Sequence, residues 1–213
     1  MYNPKHFEET RVEVLHQLIR QHAFAALVTS GPDGLSANHI PLEIDPEPAP
    51  LGTLRGHVAR GNPLWKQTTA DNETLVIFQG PSTYITPSWY ATKQQTGKVV
   101  PTWNYAIVHA YGRIRFTENA GWLRRLLTQL TDHHESSRSA PWKLSDAPDE
   151  FIERQMQAIV GIEIPITRLI GKWKVSQNRP AADRAGVIAG LAQNGDATSQ
   201  AMAELVRQYG KPD

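Results

Sequence analysis

The chain has 213 residues, 40% of them hydrophobic and 20% charged, with 22 Lys and Arg against 21 Asp and Glu for a formal charge of +1. That length suits one full domain with at most a small appendage, and that composition excludes a disordered chain, a fibrous repeat and a globally basic nucleic-acid binder. Cysteine is absent, which removes disulfides, thiolate nucleophiles, iron–sulfur clusters and Cys-ligated zinc together.

The opening MYNPKHFEET carries a lysine but no apolar segment after it, so no secretory signal is read. The longest apolar run, Ala23 to Val28, is far short of the ~18 residues of a membrane span. No membrane partner is expected, and the cytoplasm is the expected location. From Phe7 to His22, Val12, Leu15, His16 and Ile19 share one helical face, which predicts the first helix. FAALVTS, the turn cluster GPDG and LSANHIPLEI predict a hairpin, followed by a proline-rich loop over Asp45 to Pro50. LGTLRGHVA and ETLVIFQG read as two more strands, with a short helix over NPLWKQTT between them.

The clearest strand is Tyr105 to Thr117, where Ala106, Val108, Ala110, Ile114 and Phe116 face one way and Tyr105, His109, Tyr111, Arg113 and Arg115 the other. Trp122, Leu123, Leu126, Leu127 and Leu130 then form a helical stripe. Ile152, Met156, Ile159 and Val160 form another, running into a strand with Ile162, Ile164 and Ile166 alternating. Two short helices, 181–192 and 197–209, separated by QNG, close the chain. Strands come as neighbours rather than in strict alternation with helices, so the sheet is expected to be largely antiparallel and closed into a barrel.

Neither standard glycine loop for nucleotide phosphates is present, nor G-x-S-x-G, nor H-E-x-x-H. His133-His134-Glu135 lacks the spacing of a tight metal site, and a solvated helix end is the better reading. No metal is expected. In GHVARGNPLWK, a strand ending in His57 is followed by Arg60, Asn62 and Lys66 around Gly61 and Pro63. A guanidinium, an amide and free backbone N–H groups at a helix-like turn suit a phosphate, while solvated cations with Asn62 capping the helix are the plainer account.

Tyr84, Trp89, Tyr90, Trp103, Tyr105 and Tyr111 crowd a short span whose PSWYATKQQTGKVVPTWNY stretch is polar and poorly periodic. Aromatics in a loop suit a flat conjugated ligand or a second subunit, or they cover the end of a barrel. From Arg168 to Arg184 the cations Arg168, Lys172, Lys174, Arg179 and Arg184 face Asp183 alone. Such a cluster suits the phosphate of a cofactor, a nucleic-acid backbone, an acidic partner or plain solvation.

Four separated segments, in order, carry a resemblance that spans nearly the whole chain, including MYNPKHF. G-H-x-A-R-x-N-P from Gly56 to Pro63, ITPSWY from Ile85, VPTWNY from Val100, and GKWKVSQNRP followed by DRAGVIAGL resemble the FMN-binding negative transcriptional regulators of the PaiB type. That family belongs to the FMN-binding split-barrel group, with pyridoxamine-phosphate oxidases and flavin reductases. The resemblance implies a mainly β, α+β fold: a six-stranded antiparallel barrel over residues 1–170 with peripheral helices. A C-terminal helical hairpin over 171–213 would pack on the barrel or on the partner subunit.

The resemblance further implies a homodimer with FMN at the subunit interface. Arg60 and Asn62 would hold the phosphate, with His57 beside them, and the segment Asn38 to Pro41, including His39, would lie along the isoalloxazine. Trp103 and Asn104, with Lys174, Ser176 and Gln177 from the other subunit, would complete the pocket. The implied role is a transcriptional repressor sensing flavin or redox state, with DNA as its further partner. The last helix, carrying only Arg207 and Lys211, reads as half of a packed hairpin and not as a recognition helix. The alternative is an FMN-dependent oxidoreductase in which His39, His57 or Tyr90 at most assists, no catalytic residue being assigned; a binding scaffold with a vestigial pocket is the third reading.

Overall fold

Buried and exposed positions alternate along most of the strands, which gives the sheet its two faces. In the computed structural model, which describes residues 1–68 and 72–210, a 3-10 turn at Lys5–Phe7 leads into β1 (Glu8–Glu9) and α1 (Val12–Gln21). There follow β2 (Phe24–Gly31), β3 (Gly34–Pro41), β4 (Glu43–Asp45), β5 (Thr53–Ala59), α2 (Leu64–Gln67) and β6 (Glu73–Ile85). A second 3-10 turn at Pro87–Trp89 precedes α3 (Ala91–Thr96), β7 (Thr102–Arg113), β8 (Arg115–Thr117) and α4 (Ala120–Glu135). After a third at Leu144–Asp146 come α5 (Asp149–Gln157), β9 (Ile159–Lys174), α6 (Ala181–Asn194) and α7 (Ala197–Tyr209).

The strands form one sheet in the order β3-β2-β6-β7-β9-β5-β4, with β1 and β8 each pairing β9. Six strands have seven residues or more, namely β2, β3, β5, β6, β7 and β9, while β1, β4 and β8 have two or three. The mixed α+β class and the six-strand antiparallel scaffold expected from the sequence are what the chain adopts.

The chain divides into two compact units that interleave along the sequence. One comprises Ile19–Phe78 and His109–Leu169. Here β2 and β3 form the expected hairpin, in register from Phe24 opposite Pro41 to Gly31 opposite Gly34. β5 lies antiparallel to β9 over its whole length, from Thr53 opposite Pro165 to Ala59 opposite Ile159. Leu123 of α4 and Ile152 and Met156 of α5 make a buried cluster against Trp122, Leu127, Leu144, Ala147 and Ile159. Asn119 caps α4, its Oδ1 accepting the Trp122 N–H at 2.8 Å.

The other unit comprises Met1–Leu18, Gln79–Val108 and Ile170–Asp213. α6 and α7 pack against each other as the expected hairpin. α6 ends on Gly195, whose φ of 74° is the left-handed cap conformation that glycine adopts without strain. Asp196 then starts α7 by accepting the Ser199 N–H at 2.9 Å. Glu9, paired opposite Gly171, is buried, and its carboxylate accepts from the Arg11 backbone N–H and Nε at 2.9 Å each and from the Tyr209 hydroxyl at 2.7 Å.

Four local expectations change. The first helix begins at Val12 and not at Phe7, because Glu8 and Glu9 are recruited into a strand on β9 and Glu9 closes the turn that opens the helix. Ile159 and Val160, read as part of a helical stripe, open β9 instead; α5 stops at Gln157, and β-branched Val160 lies opposite Val58 in the sheet. The strand read over Tyr105 to Thr117 starts earlier, at Thr102, and is interrupted at Ile114. The PSWYATKQQTG stretch is ordered as a 3-10 turn and α3, ended by Gly97. Thr69, at the end of the short helix expected after Asn62, and Lys211 of the last helix lie outside the described residues.

Candidate functional site

The predicted site residues fall into two groups, one in each unit. In the first, β5 delivers the chain to Arg60 and Asn62, and Pro63 leads into α2. The Asn62 carboxamide is spent twice: its Oδ1 accepts the Leu64 N–H at 2.9 Å, and its Nδ2 donates to Asn38 Oδ1 on β3 at 2.8 Å. Both asparagines line a cavity of about 460 Å³ between the β2–β3 turn and α2, with Thr29, Ser36 and Gln67 among its walls. Asp33 is the one ionisable group among the described residues that line it. A space walled by amides and hydroxyls and carrying no cation suits neutral hydrogen-bonding groups better than a phosphate.

The Arg60 side chain goes elsewhere. Its backbone N–H donates to Ala158 O at 2.8 Å, its Nε to Gln157 O at 2.6 Å and its Nη2 to Ile159 O at 3.3 Å, so the junction of α5 and β9 fixes the plane of the guanidinium. Nη1 donates to Glu118 Oε1 at 2.8 Å. Trp65 braces the turn, its Nε1 donating to Arg60 O at 2.9 Å and its ring centroid lying 5.9 Å from the guanidinium carbon. Arg60 and Glu118 are 39% and 52% exposed, and they line a second cavity of about 380 Å³ with Arg124, Glu153 and Met156. Arg60 and Asn62, two residues apart, therefore serve different cavities.

His57 is half-buried with its Nδ1 enclosed and without a hydrogen-bond partner, and burial holds its pKa below the ordinary imidazole value. His39 is exposed on β3, its ring 6.3 Å from that of Phe24, itself exposed. His133 and His134 stand 4.0 and 3.7 Å from Glu43, and no group of three acidic or histidine side chains placed to hold a metal occurs among the described residues.

The second group gathers where β9 ends. Asn104 sits on the buried face of β7 at 1% exposure; its Nδ2 donates to Ser176 Oγ at 2.9 Å, and its Oδ1 is buried without a partner. Ser176 itself has φ of 65°, a left-handed conformation that costs a non-glycine residue about 1 kcal/mol or more. The turn is closed by the Arg179 N–H on Ser176 O at 2.9 Å. Lys174 Nζ donates to Thr102 Oγ1 and, at 2.6 Å, to Trp103 O. Burial, with Lys172 and Arg179 nearby, keeps its pKa below the ordinary lysine value. Gln177 folds back on its own strand end, accepting from the Val175 N–H at 2.8 Å and donating to Trp173 O at 2.5 Å.

Thr102, Asn104, Lys174, Ser176, Asn178 and Arg179 enclose a cavity of about 50 Å³. Trp103 points away from it, 56% exposed and edge-on to Tyr84 at 6.1 Å. The structure thus brings Asn104, Lys174 and Ser176 together, while Gln177 serves the backbone and Trp103 stands on the surface.

Two of the segments that carry the resemblance have a partly structural use that periodicity did not find. Trp89 and Tyr90, read as meeting a flat ligand or a second subunit or as covering the end of a barrel, are taken up within their own unit. A Cβ at Gly190 of α6 would meet the Trp89 indole at 2.2 Å, so only glycine lets the ring lie on that helix. Tyr90 is buried, with the Arg179 guanidinium 4.9 Å from its ring centroid. Buried Asp183 accepts from the Thr92 N–H at 2.8 Å and the Thr92 hydroxyl at 2.9 Å, which binds the start of α3 to α6. The i, i+4 pair Gly186 and Gly190 marks a face of α6 open to close approach, without naming what approaches it. Glu118 and the carbonyls of Gln157 and Ile159, which position Arg60, left no sequence signal at all.

Residues 1–168 match a family model described as "Putative FMN-binding domain". An uncharacterized protein of Emericella nidulans is 38% identical, with 95% of each chain covered. The protease synthase and sporulation protein PAI 2 of Bacillus subtilis is 33% identical, with 97% of this chain and 96% of that one covered. Among solved structures, the flavocytochrome Anf3 of Azotobacter vinelandii superposes with a TM-score of 0.58 at 10% identity, covering 78% of this chain and 69% of that one. The FAD and heme binding protein of Mycobacterium smegmatis does so with a TM-score of 0.57 at 15% identity, covering 78% and 73%. Those two likenesses are of fold, and the fold is the split barrel. With a family model over most of its length and a third of its residues identical to a full-length relative, this chain belongs to the FMN-binding family of the PaiB type.

Proposed function

We propose that the protein is an FMN-binding homodimer that represses transcription in response to flavin or redox state. The observation that carries the flavin reading is Arg60: two backbone carbonyls orient its guanidinium, and its remaining edge holds a half-exposed carboxylate that a phosphate can replace. The donor set fits the rest of the group. Asn104 offers a buried acceptor with no partner, and Lys174 a cation beside it, as the polar edge of a flavin ring requires. In this reading Arg60 takes the phosphate, while Asn38 and Asn62 offer amides to neutral parts of the cofactor. Asn104, Lys174 and Ser176 lie together in one chain, so in this reading they come to the site, with Gln177, as one group from a single subunit and are not divided between two. Bound FMN supplies hydride or electron transfer, and the protein's part is to hold and orient it.

The regulatory half of the proposal is supported by the likeness to the relative named protease synthase and sporulation protein PAI 2, and in this proposal DNA is the further partner of the present chain. No described helix is long and apolar enough to cross a membrane, and the cytoplasm is the proposed location. The test begins with the visible absorption spectrum of the purified protein and an FMN titration by fluorescence quenching, alongside sedimentation. One FMN per subunit of a dimer is expected, with salt-sensitive retention of the protein's own upstream DNA. A monomer without flavin uptake, or a flavin-loaded dimer indifferent to that DNA, overturns the corresponding half.

One observation favours a second reading, an FMN-dependent oxidoreductase. His57 keeps an enclosed Nδ1 without a hydrogen-bond partner, a lone pair that can accept a proton from a reacting centre, and burial holds its pKa below the ordinary imidazole value. Catalytic NAD(P)H consumption abolished by His57→Gln would establish it; no flavin reduction by either nicotinamide would exclude it.

A further inference from the structure

We infer that Glu118 is an internal competitor for the anion at Arg60, setting how much negative charge a ligand must bring before the site accepts it. The inference rests on the reading of Arg60 as the phosphate-binding residue. Three of the guanidinium's nitrogens are engaged, and they are not equivalent. Nε and Nη2 lie on the carbonyls of Gln157 and Ile159, the last residue of α5 and the first residue of β9. Nη1 lies on Glu118 Oε1 at 2.8 Å.

Glu118 itself follows β8 and precedes the α4 cap Asn119, so it is tethered beside the arginine without belonging to a packed element. Both side chains are more than a third exposed. A pair of that kind exchanges with solvent ions and is worth about a two- to fivefold shift in an equilibrium. A dianionic phosphate, with oxygens spaced for the guanidinium fork, displaces a single tethered carboxylate. A neutral ligand has nothing to offer at that edge, and a monoanion merely exchanges one single charge for another. Glu118 thereby sharpens selection for the phosphorylated form of a ligand, at the expense of some affinity for it.

The test compares wild type, Glu118→Gln, Glu118→Ala and Arg60→Ala, each titrated with FMN and with riboflavin at low ionic strength by fluorescence quenching. Riboflavin has the same ring without the phosphate. Both Glu118 variants are expected to bind FMN two- to fivefold more tightly than wild type, with riboflavin unchanged. Arg60→Ala is expected to lose at least tenfold of its FMN affinity and to bind the two flavins alike. If wild type takes up no FMN, or Arg60→Ala binds it as well as wild type, the reading of Arg60 fails and the inference falls with it. If Arg60→Ala loses FMN while both Glu118 variants bind it no better than wild type, the reading stands and the inference is overturned: Glu118 then only steadies the arginine.

Discussion

Around Asn104, Ser176 is buried with it and Lys174 and Gln177 spend their hydrogen bonds on neighbouring backbone and hydroxyl groups, whereas around Arg60 the guanidinium is half-exposed and one of its bonds goes to a carboxylate more exposed than itself. The chemistry is similar in kind, with amides and cations in both places. The consequences differ because Asn104 and Ser176 are buried while Arg60 and Glu118 are more than a third exposed. A buried polar group left unpaired costs about 1–3 kcal/mol, so the unit around Asn104 holds most of its polar atoms in fixed pairs, with Asn104 Oδ1, Asn3 Oδ1 and the Tyr90 hydroxyl as exceptions among the described residues. An exposed ion pair is worth under about 1 kcal/mol, so Arg60 can change partner at little cost. One region is built to keep its geometry, the other to exchange an anion.

The largest effect that would sharpen this contrast lies at Asp183. Asp183→Ala removes a buried carboxylate with two hydrogen bonds to Thr92, and a loss of about 3 kcal/mol is expected in urea unfolding; a change below about 1 kcal/mol would show that α6 does not hold α3.

Acid comes next. Burial alone would raise the pKa of Glu9, but hydrogen bonds from Arg11 and Tyr209 and the charge of Arg11 outweigh it and bring it from 4.5 to about 2. A carboxyl depressed in the folded state contributes stability that is complete above pH 4.5 and is lost as the pH falls through 4.5 toward 2. Because Arg11 is 61% exposed, solvent screening limits the contribution to about 2 kcal/mol. Thermal melts between pH 5 and pH 2 on the wild type should show that drop, and Glu9→Gln should flatten it; parallel curves for the two proteins would assign the pair no role in stability.

At Arg60 the sign of the contrast reverses. Arg60→Ala should leave unfolding stability within about 1 kcal/mol of wild type while FMN affinity drops at least tenfold; a destabilised protein with FMN affinity intact would make the arginine structural after all. The smallest effect belongs to Trp103, which stands 56% exposed beside Tyr84. Trp103→Ala is expected to shift stability by no more than about 0.5 kcal/mol, which chemical unfolding resolves, and a larger loss would place the indole in the packing of its unit.

Period-two and period-3.6 patterns located most of the elements, because a half-buried strand or helix must put apolar side chains on one side wherever it packs. Ala106, Val108 and Ala110 on β7, Leu123, Leu126 and Leu130 on α4, and the α6–α7 hairpin broken at Gly195 were all readable for that reason. Family membership was readable as well, from four separated motifs in order along the chain. Where two patterns meet, the sequence was ambiguous: Ile159 and Val160 fit the helical stripe of Ile152 and Met156 as well as they fit a strand, and pairing with β5 decided between them.

The destinations of polar side chains are another matter. The sequence places Arg60 and Asn62 two residues apart after a strand, and nothing in it says that one turns to Asn38 and the other to Glu118 and the carbonyls of Gln157 and Ile159. It also could not tell that Trp89 lies on Gly190 while Trp103 faces outward. Hydrophobic burial is a property of a position and leaves a periodic trace along the chain; a hydrogen bond is a property of a pair, and its partner is set by which distant segments the fold brings within about 3 Å.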